Sequence, residues 1–588
     1  MPNAPDFPYV NRINGDAEYN LYTGFYNAGY QLGDNIEFYS FGDFSHRNGS
    51  SFENYRVPSK VVQTDALGAI IAVPFPDGFD PREAIFENEG SVTGGFKGMA
   101  AGWNWDLSST YGRDVDKIWT LDSANASLFQ NTGFTPTNFY DGTFTTGEWT
   151  ANLDLSRNFD LGMASPLNVA FGGEYRKDSY AIAQGDPGSI YREGGQSFPG
   201  FQPTDAATHF RTNESAYIDL AADPIPNLHL DLAGRYEHYS DFGDTEVGKL
   251  TARYDFTPAF AIRGTISNGF RAPTLAEEYY SATNVAPTFA VVQLPPNSAA
   301  ALDAGFQPLK PEKSTNYSVG FVAHPAEGLQ VTADAYEIDI RDRIVATGTL
   351  LGETTNAAGN VVVVSQGVLN AITAHGNVLD PGVSYVGISV FTNGANTRTR
   401  GVEVTADYAS DFGDLGHASW SLGFNYNDTT ITKLYPVPAA VASVAFGQTA
   451  LLGATAISQL TTATPKWKLI PSVLYTYGKF SVSLKERIYG ESSETVSPAG
   501  TGFNGIFEKI PVTGVTDLDL GFNVTSALKL DIGAQNLFNV KPPTIPNVSN
   551  GAGGVKPADG SNVYNAPDGF SPFGINGGYY YGRVTFTF

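Results

Sequence analysis

The sequence predicts an all-β protein: a transmembrane antiparallel β-barrel with long extracellular loops on one rim and short periplasmic turns on the other. Three observations carry that expectation. Apolar and polar residues alternate at period two along most of the chain, connections alternate between tight turns and long segments, and the last strand ends on an aromatic residue. Helical spacing is almost nowhere evident.

In Leu528 to Gln535 one face carries Leu528, Leu530, Ile532 and Ala534, while the other carries Lys529, Asp531 and Gln535. The segment before it sets Leu518, Leu520, Phe522 and Val524 against Asp517, Asp519, Gly521 and Asn523. Upstream, Leu228, Leu230, Leu232 and Tyr236 oppose His229, Asp231, Arg235 and Glu237, and Trp149, Ala151, Leu153 and Leu155 oppose Thr150, Asn152, Asp154 and Ser156. Runs of this kind predict about nineteen strands. They fall at residues 20–31, 36–47, 91–99, 102–112, 144–156, 166–177, 210–221, 227–239, 244–256, 259–270, 313–324, 328–343, 396–410, 416–428, 466–477, 479–490, 513–525, 527–538 and 577–588.

Short links such as Leu32–Asn35, Phe256–Pro258 and Tyr477–Gly478 alternate with segments of about twenty to fifty residues, and only the link around Asp241 to Asp244 breaks the rule. Compact soluble β proteins seldom carry eight loops longer than about 15 residues, whereas outer-membrane barrels are built that way. Closure follows from the solvent, because hydrocarbon satisfies no backbone edge. Register then points Leu518, Leu520, Leu528, Leu530 and Phe586 to lipid and Asp517, Asp519, Lys529, Asp531 and Arg583 to the lumen. A one-residue slip would place a midplane Lys or Arg in hydrocarbon at about 2–4 kcal/mol. In the last strand Tyr580, Val584, Phe586 and Phe588 alternate with Tyr581, Arg583, Thr585 and Thr587. Aromatics near strand ends, among them Tyr26, Tyr30, Trp103, Trp105, Tyr236 and Tyr475, suit interfacial girdles.

Composition excludes other classes. A formal charge of −25 argues against a nucleic-acid partner, since phosphate binding rests on Lys and Arg. The absence of cysteine removes disulfides, thiolate metal sites and cysteine nucleophiles. The longest charge-free run approaching a membrane helix, Leu434 to Pro465, is broken by Pro436, Pro438, Gly447 and Gly453 and reads as a surface loop with one short helix. Met1 to Asp6 lacks the basic and apolar regions of a secretory leader.

No catalytic, cofactor or metal site is expected. The seven histidines are scattered without metal-ligand spacing. Gly551 to Lys556 lacks the full phosphate-loop pattern, and Asp559 to Asn562 and Asp568-Gly569 read as turns. Glu277 and Glu278 read as solvated loop carboxylates. Ligand contacts belong on the long loops. Tyr191, Arg192, Phe198, Phe201 and Arg211 place aromatics beside cations there, suited to a catecholate or a sugar ring, with packing between loops as the alternative.

The segment Ser267 to Tyr280, with Asn268, Gly269, Phe270, Arg271, Ala272 and Pro273 at its heart, resembles a signature of TonB-dependent outer-membrane receptors. Leu309 to Gly320, Ala335 to Ile344, Asn396 to Val404 and Gly533 to Pro543 resemble later strands of that family in the same order, and terminal Phe588 resembles the outer-membrane assembly signal. The resemblance implies a barrel of about 22 strands, closed by an N-terminal plug and preceded by a TonB-contacting box. Counted back from Phe588, the nineteen strands become the fourth to the last, so residues 1–588 read as a barrel domain without leader, TonB box, plug and about three strands. Such a chain leaves its first and last strands as edges and cannot perform regulated uptake alone.

The implied function is active uptake of a scarce nutrient, foremost an iron–siderophore complex, across the outer membrane of a Gram-negative bacterium. Its partners would be the TonB energy-transducing system, through the missing N-terminal part, together with outer-membrane lipid, the barrel assembly machinery and a small nutrient ligand. A passive porin-like channel, or TonB-dependent uptake of an oligosaccharide or another non-iron substrate, is the alternative. A secreted β enzyme or carbohydrate-binding sandwich is the reading from another class.

Overall fold

The computed structural model describes residues 17–53, 55–286, 289–356, 360–376, 385–496, 506–544, 547–549, 555–557 and 570–587. One large antiparallel sheet dominates it. Its strands in chain order are β1 (Glu18–Gly33), β2 (Ile36–Phe52), β3 (Arg82–Ala100), β4 (Trp103–Leu121), β5 (Phe139–Phe159), β6 (Leu167–Ala183), β7 (Ala207–Ile225), β8 (Leu228–Tyr239), β9 (Gly243–Thr257) and β10 (Phe260–Arg271). The order continues with β11 (Glu312–Ala326), β12 (Leu329–Ala346), β13 (Tyr385–Asp411), β14 (His417–Leu434), β15 (Trp467–Tyr477), β16 (Phe480–Tyr489), β17 (Thr513–Asn523), β18 (Leu528–Gln535) and β19 (Tyr579–Phe586).

Each strand pairs antiparallel with its neighbours in sequence, from β1 through to β19. Among the described residues β1 and β19 each have a partner on one side only. Every predicted strand is present, and several run further into the long-loop rim than alternation indicated: β3 begins at Arg82 and β13 at Tyr385. The short rim is made of tight turns. Between β3 and β4, Ala101 (φ 50°) and Gly102 (φ 79°) are both left-handed, the conformation a two-residue hairpin needs to match strand twist.

The two faces separate as register requires. Leu520 stands opposite Ile532, Leu530 opposite Val584 and Leu528 opposite Phe586, which gathers these apolar side chains on one exposed face. The other face carries the charges. Arg487 pairs with Asp517 at 2.7 Å, Lys529 with Asp531 at 2.7 Å, and Arg583 with Asp519 at 3.3 Å.

A repeated device identifies that charged face as the concave one. Tyr217 on β7 lies over Gly172 on β6 and donates to Asp154 on β5 at 2.5 Å. Tyr581 on β19 lies over Gly533 on β18 and donates to Asp519 on β17 at 2.7 Å. Tyr336 covers Gly401 and accepts from Asn427 at 2.9 Å, and Tyr39 covers Gly95 and donates to Asp106 at 2.7 Å. Arg263 reaches Asp334 across Gly320 in the same way. Alternate strands are about 9.5 Å apart, so side chains bridge them only where the sheet curves inward and the strand between presents no Cβ.

The long loops carry more structure than their composition suggests. Helices α1 (Ala126–Thr132), α2 (Leu275–Tyr279), α3 (Ala299–Asp303), α4 (Gln366–Ala374) and α5 (Ala454–Thr461) all lie in them. The largest apolar cluster among the described residues sits there too, outside the barrel wall. Segment Phe289–Leu294 pairs in parallel with Tyr385–Val390, and Val292, Leu294, Leu350, Val368, Ile372, Ile388, Val437, Val441 and Leu451 are buried together. The charge-free run from 434 to 465 is thus apolar because it supplies part of this core, and α5 is its one α-helix. Ser365 caps α4 and points Val368, Ala371 and Ile372 inward, each worth about 1–3 kcal/mol when fully buried.

Neighbouring loops are tied in series. Gln130 on α1 bonds Thr64 at 2.9 Å, Asn125 donates to the Tyr191 carbonyl at 2.7 Å, and Ser281 donates to Asp205 at 2.6 Å. Thr462 donates to the Ser493 carbonyl at 2.7 Å, and Tyr489 packs on Phe573 at 5.8 Å. Terminal Phe588, Gly551 to Gly554 and the acidic turns at 559–562 and 568–569 lie outside the described residues.

A Cβ at position 172 would sit 2.7 Å from the Tyr217 ring, and one at 401 would strike Tyr336. Gly172→Val and Gly401→Val should each break their bridge and cost about 1–3 kcal/mol by overpacking. Urea unfolding followed by mobility on unheated gels checks this, with Gly24→Val as the control, since position 24 has open space. Lys at Leu520 should cost about 2–4 kcal/mol in the same assay, and Leu at Lys529 far less.

Candidate functional site

At the long-loop end the inner wall from β3 to β8 and β10, roofed by α2, outlines a cleft of about 710 Å³. The period-two register that points apolar residues outward lower down here points charges inward. Glu148, Asp178 and Arg211 stand side by side on β5, β6 and β7. Arg211 is nearly buried, its guanidinium 3.0 Å from Asp178 and 3.5 Å from Asp241, and it donates to the Pro273 carbonyl at 2.6 Å. Arg176 donates to the Tyr239 hydroxyl at 3.0 Å, and that hydroxyl donates to Glu237 at 2.8 Å. Glu237 also accepts from Asn213 at 3.1 Å and from Arg235 at 2.7 Å. The guanidinium charges of Arg176, Arg211 and Arg235 are therefore matched within the wall, and Glu89, Arg113, Asp114 and Glu148 also line the cleft.

The segment 268–280 holds the roof. Where the ladder between β9 and β10 stops at Lys249 and Ser267, the Asn268 side chain replaces it, accepting from Gly248 N–H at 2.7 Å and donating to the Glu246 carbonyl at 3.0 Å. Phe270 packs edge-on against Tyr239 at 6.0 Å. Arg271 forks between Glu277 and Glu312 at 2.8–3.0 Å. Thr274 and Glu277 form a capping box that starts α2, and Pro273 sets the extended approach to it. Glu277 is thus an ion-paired cap residue. Glu278 is buried against Asp241 and Arg211, so neither carboxylate is the solvated loop group the sequence suggested. Burial raises the Glu278 carboxyl above its ordinary range, the Asp241 charge adds to the rise, and Arg211 opposes it.

The sequence-predicted ligand contacts divide into two groups. Phe201 is 1% exposed and packs with Phe198, Tyr180, Ile182 and Leu275 of α2, and Arg211 stands in the cleft wall. Tyr191 and Arg192 lie apart, against α1. The Tyr191 hydroxyl accepts from Asn131 at 2.9 Å, and Arg192 is exposed with φ 52°. Phe210, beside Arg211 in sequence, points away with the Lys177 ammonium over its ring at 4.9 Å. Period-two alternation put Glu237 on the polar face of its strand, but the sequence reading did not gather Arg176, Asp178, Asn213 and Tyr239 with it into a site. Its signal was the charge at alternate positions in Arg176-Lys177-Asp178 and Arg235-Tyr236-Glu237.

On the same wall, beginning at the cleft residue Asp114 and running toward the long loops, carboxylate oxygens of Glu87, Asp114 and Asp116 come within 4.8 Å of one another. Arg47 is ion-paired to Glu87, which makes the trio a partly neutralised node of the wall. His229 bridges Asp223 at 2.6 Å and Asp255 at 2.9 Å near the turn rim.

The raised Glu278 sets a pH dependence. A carboxyl whose folded pKa lies above its unfolded one contributes stability fully present below the unfolded value and lost as pH rises through the folded one. Amide exchange across residues 275–280 should therefore accelerate with pH beyond the intrinsic trend, about tenfold for each unit of the shift. Glu278→Gln should remove the excess, and an unchanged profile in that variant would assign it elsewhere.

The model of the TonB-dependent receptor-like β-barrel matches residues 5–537. An iron-regulated outer membrane virulence protein of Vibrio cholerae is 28% identical over 138 residues, 23% of this chain and 19% of that protein, so the matched stretch spans about a fifth of its length. The siderophore receptor PirA from Acinetobacter baumannii superposes with a TM-score of 0.59 at 16% identity, over 98% of this chain and 73% of that one. A mutant ferric enterobactin receptor PfeA from Pseudomonas aeruginosa gives 0.59 at 15%, over 98% and 71%. The ferripyoverdine receptor of the same organism gives 0.52 at 12%, over 90% and 62%. These likenesses agree on the barrel, and with the match over residues 5–537 the chain belongs to the TonB-dependent receptor-like β-barrel family.

Proposed function

We propose that this protein is an outer-membrane receptor of a Gram-negative bacterium for TonB-driven uptake of a small nutrient, an iron–siderophore complex. The observation that carries the reading is the family match along nearly the whole chain. The similar structures are described as siderophore, ferric enterobactin and ferripyoverdine receptors, which favours iron over other cargo. The structure offers a suitable entrance: loops tied to one another above a charged, aromatic-edged cleft that opens into the lumen.

Within that entrance the contacts differ in kind. Tyr191 and Arg192, on the loop surface, meet the ligand first, with Phe198 at the edge of the cleft. Phe201 and Arg211 hold the wall and the 268–280 segment in place. TonB supplies the energy, and the barrel assembly machinery inserts the chain.

Deleting the gene from its host should slow growth in iron-poor medium and abolish uptake of one class of radiolabelled ferric siderophore. Disabling TonB should have the same effect on that substrate. Uptake that persists without TonB would identify a passive channel, and loss of oligosaccharide uptake instead would reassign the cargo. Tyr191→Ala with Arg192→Ala should raise the apparent KM about tenfold, about 1.4 kcal/mol of binding, with outer-membrane levels unchanged. Arg211→Ala should instead lower the amount of folded receptor, because it strips Asp241 and the Pro273 carbonyl of their cation and leaves Asp178 only Arg176 at 3.7 Å.

A further inference from the structure

We infer that the cleft selects its ligand by charge, taking a ferric complex that carries a protonated amine and rejecting a polyanionic one such as an iron tris-catecholate. The inference deepens the reading of that site given above and rests on it. Its ground is the arrangement of carboxylates on the inward faces of β3, β4 and β5. Glu87 stands directly opposite Asp116, and Glu89 directly opposite Asp114, which makes two successive like-charged rungs. Like charges in this relation destabilise a sheet, and a natural ladder normally sets a cation between them. The rest of the lumen face follows that rule. Arg235 joins Glu174 at 3.5 Å and Glu237 at 2.7 Å, and Lys249 joins Asp231 at 2.9 Å.

The two acidic rungs share one cation, Arg47 on β2, which is ion-paired to Glu87. Glu148 on β5 lies opposite Gly112 and so diagonal to Asp114, adding a further carboxylate. Glu89, Asp114, Asp116 and Glu148 have no ion pair among the described residues. Arg113 borders the cleft, but alternation with Asp114 turns its side chain to the outer face that carries Tyr111. Arg192 stands outside the cleft and does not offset these charges. A second observation points the same way. Asn213 is 1% exposed and inward-facing between Arg176 and Tyr239, and its amide group donates to Glu237 at 3.1 Å. Its Oδ1 has no hydrogen-bond partner, a buried acceptor that calls for a donor.

A protonated amine meets both demands. Its charge relieves the repulsion between the rungs, and its N–H groups donate to acceptors that the wall leaves open. Iron(III) held by hydroxamates is neutral at its core, so a pendant ammonium makes the whole complex a cation. A tris-catecholate of iron(III) is a polyanion and would face Glu89, Asp114 and Glu148 with no free cation to receive it, because Arg176, Arg211 and Arg235 are already matched within the wall. The cleft of about 710 Å³ is of the size that encloses a small molecule.

The test measures equilibrium binding of radiolabelled ferric complexes to the full chain extracted from outer membranes, at neutral pH. The probes are ferrioxamine B, a ferric trihydroxamate with a pendant ammonium, its N-acetyl derivative, which keeps the iron core and loses the charge, and ferric enterobactin, a tris-catecholate. Ferrioxamine B should bind about tenfold tighter than the N-acetyl derivative, and ferric enterobactin more weakly than either. Glu89→Gln with Glu148→Gln should cut the tenfold ratio to about threefold or less, and so should salt near 1 M, where screening reaches about 3 Å. Asp414→Asn, which removes the same charge at the turn rim, should leave the ratio unchanged. Mobility on unheated gels verifies folding, and single Glu148→Gln, with a partial loss, serves if the double variant is not folded. Equal affinity for ferrioxamine B and its N-acetyl derivative, or tighter binding of ferric enterobactin, overturns the inference and leaves iron uptake standing. A ratio unchanged in the folded Gln variants overturns its assignment to these carboxylates. Ferric enterobactin bound only in the presence of magnesium would show that the rungs hold a metal ion, and overturns it as well. If none of the three binds, the ferric siderophore whose uptake is lost on deleting the gene decides. A cationic one supports the inference, a neutral or anionic one overturns it, and loss of none removes the reading on which it rests.

Discussion

The antiparallel backbone ladder is the constraint on which the rest of this molecule depends. Hydrocarbon offers no partner to an amide, so each strand from β2 to β18 is satisfied by neighbours on both sides, and β1 and β19 by one neighbour each among the described residues. Once the ladder is fixed, side-chain direction is fixed with it, and the sequence has only alternate positions to address lipid and lumen. The tyrosine-over-glycine bridges are a second consequence. Curving the sheet brings next-but-one strands within reach of one another on the inside, and glycines such as Gly172, Gly401 and Gly533 leave the gap that an aromatic ring fills.

The cleft at the lumen mouth is the same alternation carried beyond the apolar band. Arg176, Asp178, Arg211, Glu237 and Tyr239 occupy inward positions that lower strands give to residues such as Asp154, Lys249 and Asp231. What changes is the neighbour above. Arg211 spends one donor on the Pro273 carbonyl, so the wall grips the 268–280 segment through its backbone, and the capping box of Thr274 and Glu277 converts that grip into a fixed direction for α2. Recognition surfaces on loops need such supports, because precision at the loop comes from the scaffold beneath it.

The barrel was legible in the sequence and the loops largely were not, for one physical reason. Strand signals are local: Leu528 to Gln535 declares its faces within eight residues, and the tight turns bracket it. The loop core is non-local. Phe289–Leu294 finds its parallel partner in Tyr385–Val390, across a separation that no short pattern records, and the buried Val437, Val441 and Leu451 came with a charge-free run that also suited an exposed loop. The site shows the same division. The 268–280 segment stood out as a motif, but the burial of Glu278 depends on Asp241 and Arg211 arriving from other strands. Aromatic content marked Phe198 and Phe201 without revealing that Phe201 is enclosed.

The serial ties between loops bear on how binding energy is used. Free surface loops of this length would lose substantial conformational entropy on closing around a small molecule, at about 1–2 kcal/mol for each backbone residue ordered. Here Asn125, Ser281, Thr462 and Tyr489 have already joined each loop to the next, and α4 anchors the central ones in an apolar core. That ordering cost was met during folding, so in the receptor proposed above contacts at the entrance would translate more fully into affinity. The same linkage makes the loops a single unit of variation: a substitution that repacks Val368 or Ile372 moves the neighbours that flank the entrance, and specificity can drift through residues that never touch the ligand.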